Sequence, residues 1–152
     1  MNQFTLLLHN QILISAVIGW LVAQILKTCI HLYFTKSFVP ERLFGSGGMP
    51  SSHSATVCAL STATGMTCGC GSPEFAIATI VAIVVMYDAI GVRRETGIQA
   101  KIINEMMEIF QGMNKELSTK DRLKELVGHT PLQVLMGAIL GILVAVITTN
   151  LL

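Results

Sequence analysis

The sequence predicts an all-α protein of the membrane: a polytopic helical bundle with about four transmembrane spans and one amphipathic helix. Three observations predict it. The 152 residues are 52% hydrophobic and only 12% charged, with a mean hydropathy of +0.65, far from the balance of a soluble domain. Long apolar runs are separated by short connectors rich in glycine and proline. The charges are also lopsided, because all ten Lys and Arg residues fall on one side when four spans alternate in direction, while the other side carries only Glu74. The length fits a single domain, residues 1–152. No basic tract for nucleic acid, low-complexity segment or internal repeat interrupts it.

The first apolar segment runs from about Phe4 to Phe34 and is broken at His9-Asn10-Gln11. It lacks the basic start and small-residue cleavage site of a signal peptide, so Phe4 to Leu26 reads as a retained span. Trp20, Gln24, Lys27 and His31 recur at helical spacing and share one stripe. Two readings fit that stripe: it faces protein or water, or Lys27 snorkels at the end of a span. Lys36 to Met49 is a connector broken by Pro40, Gly45, Gly47 and Gly48.

The second span, Ser52 to Cys70, is rich in Ser, Thr, Ala, Cys and Gly, which suits the inside of a bundle because small side chains let helices approach closely. A turn at Cys68 to Pro73 leads through Glu74 into a third span, Phe75 to about Ile90. Asp88 near its end requires a partner, since an unpaired charge at membrane depth is costly. From Val92 to Gly128 the chain is charged. Ile98, Ile102, Met106, Ile109 and Met113 recur every three or four residues, predicting an amphipathic helix that lies on the membrane surface or against the bundle.

Ser118 and Asp121 resemble a capping box opening a short helix that Gly128 ends. Thr130 and Pro131 then cap and begin a final span, Leu132 to Leu152. Gly137-x-x-x-Gly141 marks a close-packing face on it, within the chain or as a homo-oligomer seam. Cys29, Cys58, Cys68 and Cys70 have no paired spacing and read as small packing residues, so neither a metal nor another cofactor is expected.

Alternating spans bring Lys27, Lys36, Arg42, His53, Asp88, Arg93, Arg94, Lys124 and His129 to one side. The positive-inside rule makes that side cytoplasmic, with both termini outside. Gly47-Gly48-Met49-Pro50-Ser51-Ser52-His53 is a glycine-rich turn entering a helix, a composition that offers backbone N–H groups to an anion. Two histidines, several cations and this turn at one mouth describe a site for a phosphate ester, in which one histidine attacks phosphorus and the other protonates the leaving oxygen. The plain alternative is that His53 and His129 only begin helices at an interface and the cations only set orientation.

Pro50-Ser51-Ser52-His53 resembles the Pro-Ser-Gly-His motif of the type 2 phosphatidic acid phosphatase superfamily, whose relatives include the vanadium haloperoxidases. Gly128-His129-Thr130-Pro131-Leu132-Gln133-Val134, followed by Gly137 to Gly141, resembles its third motif. With Tyr87-Asp88-Ala89-Ile90-Gly91-Val92-Arg93-Arg94 and Leu123-Lys124-Glu125, the set is similar to a divergent bacterial and plastid branch of that superfamily over nearly the whole chain.

The resemblance implies a lipid phosphate or diphosphate phosphatase of the bacterial cytoplasmic membrane, without a metal. His129 is implied as nucleophile, and His53 as the acid that protonates the alkoxide and then activates water. Gly48, Ser51 and the backbone of Ser52 and His53 are implied to contact phosphate, with Lys27, Arg42, Arg93, Arg94 and Lys124 as candidate cations. Lys36 and Arg42 stand one residue closer than the family's first motif has its cations, and the proline is missing. Gln133 stands where the family has the aspartate that orients the nucleophile. A glutamine accepts a hydrogen bond from imidazole but cannot balance an imidazolium charge. Asp88 therefore either takes over that role or pairs with Lys27 or Arg93. The same departure admits a second function, a module that binds or transports phospholipid head groups without hydrolysis; a third, a purely structural role, leaves the convergence of motifs unexplained.

Overall fold

A computed structural model of the chain describes residues 2–36, 48–112, 123 and 128–151. The described residues form six helices and no strand: α1 (Gln3–Leu8), α2 (Gln11–Thr35), α3 (Ser52–Cys68), α4 (Pro73–Ile90), α5 (Val92–Gly112) and α6 (Pro131–Leu151). The all-α membrane bundle is as the composition requires. Three stretches, Gln11–Thr35, Pro73–Phe110 and Pro131–Leu151, are long and apolar enough to cross a membrane. The expected second span, α3, is shorter, with 17 residues, about 25 Å of helix. It is the central element, packed against α2, α4 and α6 together.

Local chemistry sets the boundaries. The break at His9-Asn10 separates α1 from α2 because the Asn10 side chain accepts a hydrogen bond from the Leu13 amide and caps α2. Ser51 caps α3 in the same way through the Ser54 amide, and Ser72 caps α4 through the Phe75 amide with Pro73 in the first helical turn. The third span thus starts two residues earlier than its apolar run indicates. Thr130 and Gln133 form a reciprocal capping box at the start of α6: the Thr130 hydroxyl accepts from the Gln133 amide at 3.3 Å, and Gln133 Oε1 accepts from the Thr130 amide at 3.0 Å.

Inside the bundle the helices meet through small residues. Ala59, Ala63 and Ala145 form a core cluster between α3 and α6, with Ile12 of α2 packed against it. Any Cβ at Gly137 would lie 2.3 Å from the Ser51 carbonyl oxygen, and one at Gly141 would lie 2.2 Å from that of Ala55. The Gly-x-x-x-Gly face is therefore packed against α3 of the same chain. Short polar pairs add directional ties: Ser15 with Thr148 at 2.7 Å, and Ser61 with Thr79 at 2.9 Å. These contacts make α2 antiparallel to α3 and α6, and α4 antiparallel to α3. The end of α2, the start of α3, the end of α4 and the start of α6 consequently share one end of the bundle.

Candidate functional site

That shared end brings the two histidines together. His53 lies in the first turn of α3, and His129 stands two residues before α6. Their ring centroids are 6.3 Å apart and the rings are tilted by 55°. The gap is wider than an N–H···N bond and is bridgeable by a phosphoryl group. His53 is exposed toward the mouth, whereas His129 is 4% exposed.

Three backbone contacts fix this pairing. The His129 amide donates to the Ala89 carbonyl at the end of α4 at 3.0 Å, and the Ser51 amide donates to the Gln133 carbonyl at 3.0 Å. Gly128, at φ +97°, packs directly on the backbone of Arg93 and Arg94, where a Cβ would fall 2.4 Å from the Arg94 nitrogen. Glycine is required there for both its backbone angle and its missing side chain.

Gln133 determines the state of the nucleophile candidate. Its Oε1 lies 3.0 Å from the Thr130 amide and 3.2 Å from His129 Nδ1. A backbone N–H can only donate, so the atom facing it is the acceptor oxygen, and a proton on Nδ1 completes the contact. The lone pair of neutral His129 is then on Nε2. Burial holds the His129 pKa below that of an ordinary imidazole; the Gln133 bond opposes this, and Lys27, His53 and Arg93 reinforce it. The ring therefore stays neutral near pH 7 with Nε2 available.

Lys27 is buried, 2% exposed, and donates to Gln24 Oε1 at 2.7 Å, with Ser52 Oγ at 3.5 Å. Of the two readings of its stripe, the interior one holds, and Gln24 is the partner that brings the ammonium to the start of α3. Asp88 pairs with Arg93 Nε, while His129 Nδ1 faces Gln133. Of the roles open to Asp88, pairing with Arg93 is the one in place. Ser51 has no solvent exposure, and its hydroxyl accepts from the Ser54 amide and hydroxyl, so it builds the helix start and does not face the mouth. Ser52 is buried beside Lys27, and Gly48 takes a positive φ of 86° in the turn before Pro50. With the Ser54 amide capped, helix geometry leaves the Ser52 and His53 amides as donors at the mouth. Arg94 meets Gly128 through its backbone and is exposed. Arg42, Lys124, Gly47 and the Ser118–Asp121 pair lie outside the described residues.

Two contacts escaped the sequence reading. The Thr130-x-x-Gln133 capping box was legible as a pattern, but the use of the same oxygen for His129 was not. Asn104 of α5, 4% exposed, donates to the Leu123 carbonyl at 2.9 Å and accepts from the Leu123 amide at 3.0 Å. No periodicity signals that clasp, which joins residues nineteen apart.

Residues 8–144 match the Divergent PAP2 family. The chain is 37% identical over 150 residues to the "Uncharacterized membrane protein YuiD" of Bacillus subtilis (strain 168), an alignment covering 93% of this chain and 95% of that protein. No solved structure matches.

Proposed function

The chain belongs to the divergent PAP2 family, and from that premise we propose that it is a membrane-embedded phosphatase acting on a lipid phosphate or diphosphate. The observation that carries the proposal is the apposition of the His53 and His129 rings, centroids 6.3 Å apart, with His129 Nδ1 facing Gln133 Oε1 at 3.2 Å. His129 Nε2 forms a bond to phosphorus as the P–O bond to the lipid breaks, and protonated His53 gives its proton to the departing alkoxide. His53 then takes a proton from water, the hydroxide attacks phosphorus, and the N–P bond breaks to release phosphate. Lys27 and the amides at the start of α3 stabilise the equatorial oxygens, joined by Arg93. Arg42, Arg94 and Lys124 are further candidate cations of the same site.

The charge bias supports a mouth on the cytoplasmic side of a bacterial cytoplasmic membrane, with both termini outside. That orientation favours substrates made inside the cell, such as phosphatidate or phosphatidylglycerol phosphate. It is tested by Ser46→Cys in a cysteine-free background: protection from an impermeant thiol reagent in intact cells is expected, and labelling overturns it.

Gln133 also favours one competing reading, a head-group binding or transport module, because a neutral amide does not balance an imidazolium. Purified protein assayed for phosphate release across a panel of lipid phosphates separates the two. Vanadate-sensitive release abolished in His129→Ala and His53→Ala supports the phosphatase. Binding without release supports the module.

A further inference from the structure

Helix α5 carries three distinct strips. Gly97, Ala100 and Asn104 are buried and lie within about 60° of one another around the axis, the covered strip. Arg94, Lys101, Glu105 and Glu108 form an exposed charged flank. Opposite the covered strip, Ile98, Ile102, Met106 and Ile109 are all exposed. With the exposed Val92, Ile103 and Phe110 beside them, these residues make a broad apolar face away from the charged flank, and such a face needs an apolar neighbour. Helix α4, whose Ile80, Val84 and Tyr87 form part of the exposed apolar surface of a spanning helix, leads into α5 through Gly91 alone. The apolar surface of the one therefore continues into that of the other, at the end of the bundle where Tyr33, Phe34 and Tyr87 present exposed aromatic rings suited to the lipid–water boundary.

The covered strip meets the chain at Leu123, six residues before His129. Asn104 clasps both the amide and the carbonyl of Leu123, and the first turn of α5 supplies the Arg93–Arg94 backbone on which Gly128 sits. A single helix thus grips the approach to the candidate nucleophile at two points, 123 and 128, while its far side presents apolar residues.

We propose that the row Ile98, Ile102, Met106 and Ile109 docks on the bilayer surface beside the bundle, and that this docking sets the position of His129 through the Asn104–Leu123 clasp. The regulatory consequence rests on the phosphatase reading, whereas the docking and its coupling to Leu123 and His129 do not. In that consequence, the chain leading to the nucleophile is held more firmly when α5 lies on lipid, which favours turnover of substrate presented by an intact leaflet.

The test uses full-length protein in nanodiscs. Ile102→Trp in a Trp20→Phe background is expected to be quenched by lipids brominated near the head of the acyl chain, and Lys101→Trp on the charged flank is not. Equal quenching at both positions, or none at 102, overturns the docking, as does cysteine cross-linking of Ile102→Cys between two copies in its place. For the coupling, Ile102→Glu with Ile109→Glu is expected to speed amide exchange at Leu123 and His129 roughly tenfold, the scale of one lost hydrogen bond, with α3 unchanged. Asn104→Ala should speed exchange at Leu123 while leaving quenching at 102 intact. Unchanged exchange at both amides in the double variant overturns the coupling. None of these readouts needs turnover, so a protein that docks and couples as described but releases no phosphate removes the phosphatase reading and leaves the inference standing.

Discussion

Replacing Gln133 with leucine removes the one atom that serves both the start of α6 and the nucleophile candidate. Two hydrogen bonds to Oε1 are lost, from the Thr130 amide and from His129 Nδ1. At about 1 kcal/mol net for each, the fold should lose about 1–3 kcal/mol. The catalytic cost should be larger, because an imidazole free to place its proton on Nε2 cannot attack; loss of an equivalent orienting group costs up to about 10⁴-fold in a serine protease. Gln133→Glu is the control, since it preserves the acceptor and the capping box while adding charge beside the ring. Phosphate release from lipid phosphate in nanodiscs should fall by roughly 10²–10⁴-fold in Gln133→Leu and hold or rise in Gln133→Glu. Nitrogen-15 spectra of labelled histidine should show His129 as the Nδ1–H tautomer in the parent and the Glu variant and a mixture in the Leu variant. Parent-like release from Gln133→Leu, with the tautomer unchanged, would show that Gln133 does not orient the nucleophile.

Gly128→Ala places a methyl group 2.4 Å from the Arg94 nitrogen at a left-handed φ, so it should destabilise by at least about 1–2 kcal/mol and abolish release; a melting temperature equal to the parent's would contradict the packing. Gly141→Leu forces α6 away from Ala55, where the Cβ would stand 2.2 Å from the carbonyl oxygen, and a marked loss of thermal stability in detergent should follow, of at least about 1–3 kcal/mol. Lys27→Met keeps the buried volume and removes the charge. It should leave stability within about 1 kcal/mol of the parent or raise it, while KM for a lipid phosphate rises; an unchanged KM would remove Lys27 from the site. The depressed His129 pKa has a definite sign: the unfolded chain protonates this residue first, near pH 6.5, so its contribution to stability is intact above that pH and is lost as pH falls from there through the folded value. The acidic limb of kcat/KM should accordingly lie below pH 6.5, and a limb above pH 7 would show that neutral His129 is not the attacking group.

The bundle was legible because membrane helices announce themselves by apolar length and because four alternating spans assign the polar residues to one end by topology alone. That is how Lys27, His53, Asp88 and His129, spread over a hundred residues, could be grouped from the sequence. The side-chain partners were not legible, because they depend on which way a polar group turns within a few ångströms. Asp88 was open to Lys27, Arg93 or the nucleophile, and the structure pairs it with Arg93. The hydroxyl of Ser51 was expected at a phosphate, and it caps its helix. The motif at Gly137 and Gly141 did not say which helix it receives, and α3 of the same chain lies against it.

The central helix has one further consequence, which concerns entropy. Its buried positions are Ser52, Ser54, Ala55, Cys58, Ala59, Ala63 and Thr64, and the residues that receive it on α6 include Gly137, Gly141 and Ala145. Glycine and alanine have no rotamers to lose, and the long branched side chains that do have them point outward, where lipid leaves them free to move. Bringing α3 into the bundle therefore freezes less side-chain motion than burying the same number of leucines or isoleucines would, so more of the gain from close contact is kept as rigidity. The histidine at the head of that helix is held by a scaffold that has few alternative packings to visit.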